Sequence, residues 1–148
     1  MPLAVRLQIR KLWAMDNLNI FLGATVADAA ARPLHWVYDP KKLNQFIKGK
    51  KEIAFLNQNK SPFYSIKTGN VSGYNDVGQV MFKTLISTQN KSEILRNFKK
   101  NIIKNFGPGS AYWRNLKLRK KYKKIKWKKP MKGPWIHQNI LETIQNIK

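Results

Sequence analysis

Apolar residues in this chain recur at helical spacing, in stretches that proline and glycine open or close, and no hairpin signal interrupts them. Asp16 reads as the N-cap of a first helix, NLNIFLGATVADAAA, with Leu18, Phe21, Leu22, Thr25, Val26 and Ala29 on one period. Arg32-Pro33 ends it, because a residue before proline is pushed out of the α region. Asp39-Pro40 reads as N-cap plus first residue of a short helix, with Leu43, Phe46 and Ile47 on one face. A third helix is expected from Asp76 to Gln89, turning Val80, Met81, Leu85 and Val77 inwards. Ser92-Glu93 opens the clearest one, whose stripe of Ile94, Leu95, Phe98, Ile102, Ile103 and Phe106 stops at Gly107-Pro108. Another begins at Ser110 and grades into a basic run. Gly133-Pro134 opens the last, with Ile136, Ile140, Leu141, Ile144 and Ile147 in a stripe that reaches the end of the chain. The prediction is an all-α fold of five to seven helices. That last stripe predicts further helices to cover it, or self-association through the last helix.

Between the second and third helices, residues 57–75 are rich in Asn, Ser, Gly and Pro and read as a long loop. Loops of this length within a domain are functional or disordered. Its aromatic and small residues favour an ordered one.

Length fits one domain over 1–148, large enough to hide roughly 70% of its unfolded surface. The absence of cysteine excludes disulfides, thiolate zinc sites and cysteine nucleophiles. The longest apolar stretch, Ile20–Ala27, is far shorter than the roughly 20 residues a bilayer requires, so no membrane association is expected. The N-terminus is amphipathic and acid-free up to Asp16. It reads as a lead-in helix, with a mitochondrial presequence as the alternative, and the expected location is cytoplasmic.

A net charge of +22 admits two readings. Such a field attracts nucleic acid, acidic lipid or acidic protein. Alternatively, it reflects drift towards AT-rich codons, since Lys, Asn and Ile (23, 14 and 14 residues) exceed a third of the chain while Arg, the residue of bidentate recognition, numbers six. The densest run, 114–132, holds eleven Lys or Arg in nineteen positions. Within it Lys120, Lys121, Tyr122, Lys123, Lys124 and Trp127 interleave cations with rings, as nonspecific binding of single-stranded nucleic acid requires. A solvated helix face with a linker explains the same run.

Only seven acidic residues stand against this background, so each is an ion-pair partner or a functional group. Asp28 lies within an apolar, small-residue helix and needs a partner, for which Arg32 at i+4 is the natural choice. Asp39 reads as a cap. Asp76, at a helix mouth, reads as another cap or as a Mg²⁺ ligand, a hard ion that prefers carboxylate oxygen. The two histidines, His35 and His137, lack metal-ligand spacing.

Four segments, in order along the chain and the second of them in two pieces, carry a resemblance. Gly23 to Asp39 reads GATVADAAARPLHWVYD. Ser61 to Tyr64 reads SPFY and Gly69 to Asp76 reads GNVSGYND. Phe106 to Tyr112 reads FGPGSAY, and Gly133 to Ile140 reads GPWIHQNI. Together they resemble the ADP-ribosylglycohydrolase superfamily in its J1-crystallin branch, whose strings run approximately GAxxADAxxxPLHWxYD, SxYGDQ, FGPxSxY and GPWxHxxI.

The resemblance implies an orthogonal helical bundle, here the incomplete N-terminal part of one. It also implies, in active members, a binuclear Mg²⁺ site that hydrolyses the link between ADP-ribose and a protein side chain or related group. In those hydrolases an early Thr-Asp-Asp-Thr motif and a late Asp-x-Asp-Thr/Ser motif ligate the metals. Tyr74, Asn75, Asp76 and Val77 fall where the early motif belongs. Asp76 then matches its second aspartate, Asn75 replaces the first with a neutral amide, and Tyr74 and Val77 replace the threonines. Asp28 matches a supporting aspartate. His35, Trp36 and Asp39 belong to the branch's own string. The late motif would lie beyond Lys148, and half a site does not hold two Mg²⁺ ions. The expectation is a chain of hydrolase ancestry whose activity on ADP-ribose-containing substrates is absent or residual. A structural crystallin-like protein and a basic nucleic-acid-binding module stand as alternatives.

Overall fold

The computed structural model describes residues 3–124 and 130–147, with side chains from Asp16 onward except that of Tyr122. The fold is all-α. Helix α1 (Leu3–Ala31) leads through a 3-10 turn (Arg32–Leu34) to α2 (Pro40–Ile47); then come α3 (Gly73–Ser87), α4 (Ile94–Phe106), α5 (Ala111–Lys124) and α6 (Gln138–Asn146).

Two caps follow the sequence logic. Asp39 accepts hydrogen bonds from the Lys41 and Lys42 amides at 2.9 and 3.3 Å, and Pro40 fills the first helical position. Gly107 closes α4, its amide donating to the Ile103 carbonyl at 2.8 Å. Two others differ. Asp16 does not cap α1, since residues 3–15 contain no helix breaker and the helix runs straight through it. Helix α3 begins at Gly73, so Asp76 sits in its first turn and the capping side chain is that of Ser72.

The core lies among α3, α4, α5 and α6, built from Val80, Ile102, Phe106, Tyr112, Leu116, Ile136, Ile140, Leu141 and Ile144. The stripe of α6 is therefore covered within the chain, and the premise for self-association through the last helix does not hold. Apolar exposure falls elsewhere. Leu18, Ile20, Leu22 and Val26 of α1, with Met81, Leu85 and Ile86 of α3, are exposed, contrary to the inward positions expected for Leu18, Leu22, Val26, Met81 and Leu85. Helix α1 meets the rest instead through Phe21, stacked on Phe82 at 4.4 Å, and through the turn carrying Thr25, Asp28 and Ala29.

The loop after α2 is tied down at both ends. Its Tyr64–Ser65 segment (β1) pairs in parallel with Met131–Lys132 (β2), a contact of high sequence separation that no local pattern announces. Arg32, fully buried, reaches into the loop. Its guanidinium donates to the carbonyls of Asn70, Ile66 and Lys67 at 2.8, 3.2 and 3.0 Å, and to Asn59 Oδ1 at 3.0 Å. This one side chain gathers three loop carbonyls, of which that of Lys67 also accepts the Asn70 amide at 3.1 Å. No described helix is long and apolar enough to cross a membrane.

Candidate functional site

The acidic residues singled out in the sequence converge where α1 meets the start of α3. Asp28 does not pair with Arg32. Its Oδ2 accepts the Ser72 amide at 2.6 Å and its Oδ1 accepts the Ser72 hydroxyl at 2.7 Å. Ser72 Oγ in turn accepts the Asn75 amide at 3.4 Å, capping α3. The carboxylate thus locks helix to helix, and Arg32 is released to hold the loop.

Asn75 and Asp76 follow on the first turn of α3. Asn75 Nδ2 donates to Thr25 Oγ1 at 3.4 Å, and Asn75 Oδ1 accepts from Gln79 Nε2 at 3.1 Å. Asp76 Oδ2 accepts a short hydrogen bond from the Tyr112 hydroxyl. Burial raises the affinity of the Asp76 carboxyl for its proton, the Tyr112 bond opposes this, and the negative charge of Asp28 adds to it. Burial and the carboxylate beside it likewise push the Tyr112 hydroxyl far above the usual phenol value.

The candidate residues line two separate clefts. Asp76 borders one of about 430 Å³ with Ile66, Asn70, Gln79 and Tyr112. Asp28, His35, Trp36 and Tyr74 border another of about 850 Å³, closed by the end of α1 and by Leu43 and Ile47 of α2. In the second, burial lowers the pKa of His35, and its Nδ1 lies 3.5 Å from the Tyr64 hydroxyl. Tyr74 stacks on His137 at 3.6 Å. Asp39 takes no part, being occupied as a cap. Lys120, Lys121, Lys123 and Lys124 are exposed on the last turns of α5, whereas the Tyr122 side chain and Trp127 lie outside the described residues.

Three contributors escaped sequence reasoning: Ser72, Tyr112 and His137. Each sits inside one of the quoted strings, so a signal was present, but nothing local reveals that Tyr112 reaches Asp76 thirty-six positions away. His137 is buried with its Nε2 unpartnered, and burial depresses its pKa to about 4. The close approach of this ring explains Gly73. A Cβ there would meet the Trp135 carbonyl at 2.9 Å and His137 Cδ2 at 3.1 Å.

These donors do not fit a Mg²⁺ site. The ion requires several oxygens arranged octahedrally. Both Asp28 oxygens serve Ser72, the Asn75 oxygen serves Gln79, Val77 has no donor, and one Asp76 oxygen serves Tyr112. Among the described residues no three acidic or histidine side chains gather to hold a metal.

Comparison with known proteins gives a consistent relationship. No family model matches the chain, and no solved structure matches it. Crystallin J1B of Tripedalia cystophora is 31% identical over 126 residues, covering 85% of this chain and 36% of that protein. Crystallin J1A of the same organism is 29% identical over 126 residues, with the same coverage of 85% and 36%. The chain is thus a relative of J1-crystallins and spans about a third of the length of the curated relatives it matches.

Proposed function

We propose that this J1-crystallin relative keeps a helical scaffold of ADP-ribosylglycohydrolase type while its residues at the early metal motif hold the fold together, leaving hydrolysis absent or residual and a structural role in its place. A bound Mg²⁺ pair would supply polarisation of the ribose and an activated water. The residues of this chain do something else. Asp28 and Ser72 fasten α1 to α3, Asn75 links Thr25 to Gln79, and Asp76 anchors α5 through Tyr112.

The observation that carries this reading is that the side chains at and beside the early motif tie helices together: Asp28 accepts from Ser72, Asn75 donates to Thr25 and Asp76 accepts from Tyr112, while Val77 offers no side-chain oxygen. That the relatives are named crystallins is in keeping with a protein retained for its fold.

Titration calorimetry of the full chain with Mg²⁺ and with ADP-ribose tests the reading, alongside release of ADP-ribose from a modified peptide. No Mg²⁺ binding below millimolar and no turnover is the expected result. Submillimolar Mg²⁺ binding that Asp76→Ala abolishes, or Mg²⁺-dependent turnover, would overturn it.

A further inference from the structure

Four aromatic side chains gather at the surface beside the cleft that Asp28 and His35 border, with Trp36 and Tyr38 common to both. Among the described residues, Trp36, Tyr38, Phe63 and Trp135 line a shallow pocket of about 250 Å³. Trp36 sits edge-on to Phe63 at 5.1 Å and to Trp135 at 5.5 Å, and Phe63 is tilted on Trp135 at 5.7 Å. Tyr38 is 81% exposed and Phe63 46%. Trp36 holds its place with φ +64°, a left-handed backbone that a bulky residue rarely adopts. A cluster of rings left in water on a strained backbone calls for a ligand with a π face.

Charge selects the class. The Arg119 guanidinium lies 4.3 Å over the Trp135 ring, so the side of α5 that bears it adjoins the aromatic shelf. Lys123 follows one turn later on that side, and Lys132, three residues before Trp135, is exposed on β2. None of the three has an ion-pair partner among the described residues. A cationic ligand would be repelled by a chain of net charge +22. An acidic peptide would use the cations but not the rings. A duplex keeps its bases stacked internally. A single strand uses both features, bases on rings and phosphates on cations.

We propose that the shelf of Trp36, Tyr38, Phe63 and Trp135, with Arg119, Lys123 and Lys132 beside it, is a binding site for single-stranded nucleic acid. The site adjoins the cleft of Asp28 and His35 through Trp36 and Tyr38, and it stands whether or not the acidic cluster binds metal. It also places the stacking rings on the loop and turn segments, where the sequence had pointed to Tyr122 and Trp127.

Fluorescence anisotropy of labelled ten-nucleotide single strands and of the matching duplex, read across a salt series with the full chain, tests this. Single strands are expected to bind more tightly than duplex. Tyr38→Ala plus Phe63→Ala should lower single-strand affinity about tenfold, the loss of one base stack, and leave duplex binding unchanged. Tyr38→Trp should retain affinity. Lys123→Gln plus Lys132→Gln should weaken both and flatten the salt slope. Tyr38→Ala alone, at so exposed a position, keeps the test open if the double variant misfolds. Equal affinity for duplex and single strand that ignores the aromatic substitutions would overturn the proposal. So would binding to vesicles of anionic lipid without binding to oligonucleotides, or binding of free nucleotide alone.

Discussion

Ser72 grips both oxygens of Asp28, with its amide at 2.6 Å on Oδ2 and its hydroxyl at 2.7 Å on Oδ1, and so fixes the end of α1 to the start of α3. The same hydroxyl caps α3 through the Asn75 amide. Ser72→Ala removes a cap and leaves one carboxylate oxygen short of a donor. It should destabilise by about 2–3 kcal/mol, combining a cap loss of about 1 kcal/mol with an unsatisfied buried acceptor. Urea denaturation with the slope unchanged is the measurement. A loss below about 0.5 kcal/mol would mean that the lock carries no stability.

Arg32 offers a second test. Its planar fork serves four acceptors at once, a geometry that an ammonium cannot reproduce. Burial lowers its pKa without any carboxylate bonded to it. Arg32→Lys should therefore cost about 2–4 kcal/mol despite conserving charge. Limited proteolysis should show cleavage appearing first within residues 57–70, while α4 and α6 stay protected.

The helices themselves were legible, because period, proline and glycine are local properties. Pro40, Gly107 and the stripe ending in Phe106 mark real boundaries. What lay beyond the sequence was pairing across distance. The spacing of Asp28 and Arg32 suggested an ion pair, but spacing does not reveal that a loop carbonyl cluster competes for the guanidinium and a serine amide for the carboxylate. Nor does a helical stripe say which neighbour covers it. Ile140 and Ile144 are buried by their own chain, whereas the equally periodic Leu22 and Val26 stay exposed. The acidic residues near α3 were found by scarcity. Their partners, Ser72 and Tyr112, are ordinary residue types with no such mark.

His137 makes stability depend on pH. Burial depresses its pKa to about 4, below the usual value of about 6.5, so the unfolded chain binds the proton more readily. Between pH 6.5 and 4 the unfolded state holds more protons, and stability falls as pH falls, with a slope approaching about 1.4 kcal/mol per unit. Asp76, whose proton affinity is raised in the fold, acts in the opposite sense. His137→Phe keeps a ring against Tyr74 and removes the unpartnered Nε2. The variant should lose part of the pH slope, as read from thermal midpoints between pH 4 and 7, with His35, whose pKa burial also lowers, supplying the remainder. An unchanged slope would assign the titration elsewhere.

Gly73 tests the closeness of that ring. A methyl group would meet the Trp135 carbonyl at 2.9 Å, and backbone on that side does not yield as a flexible side chain does. Gly73→Ala should cost about 1–3 kcal/mol even though alanine is the better helix former. If thermal denaturation showed it neutral or stabilising, the His137 segment would have to pack more loosely than this.

Tyr112 decides how Asp76 holds its charge. Four influences act on the carboxyl: burial raises its pKa most, the Tyr112 hydroxyl lowers it, the Asp28 charge raises it and the Lys83 charge lowers it. A hydrogen bond to the charged form favours that form, so its removal must shift the balance towards the neutral acid. Tyr112→Phe keeps the ring against Phe106 in the core and deletes only the hydroxyl. The Asp76 pKa, followed by carboxyl carbon NMR, should then move further up, and the variant should gain no submillimolar Mg²⁺ affinity, because Asn75 and Val77 still leave the motif without a second carboxylate. A downward shift would contradict the bond's assigned direction. A Mg²⁺ affinity unmasked by the substitution would instead show that Tyr112 had been occupying a working metal ligand.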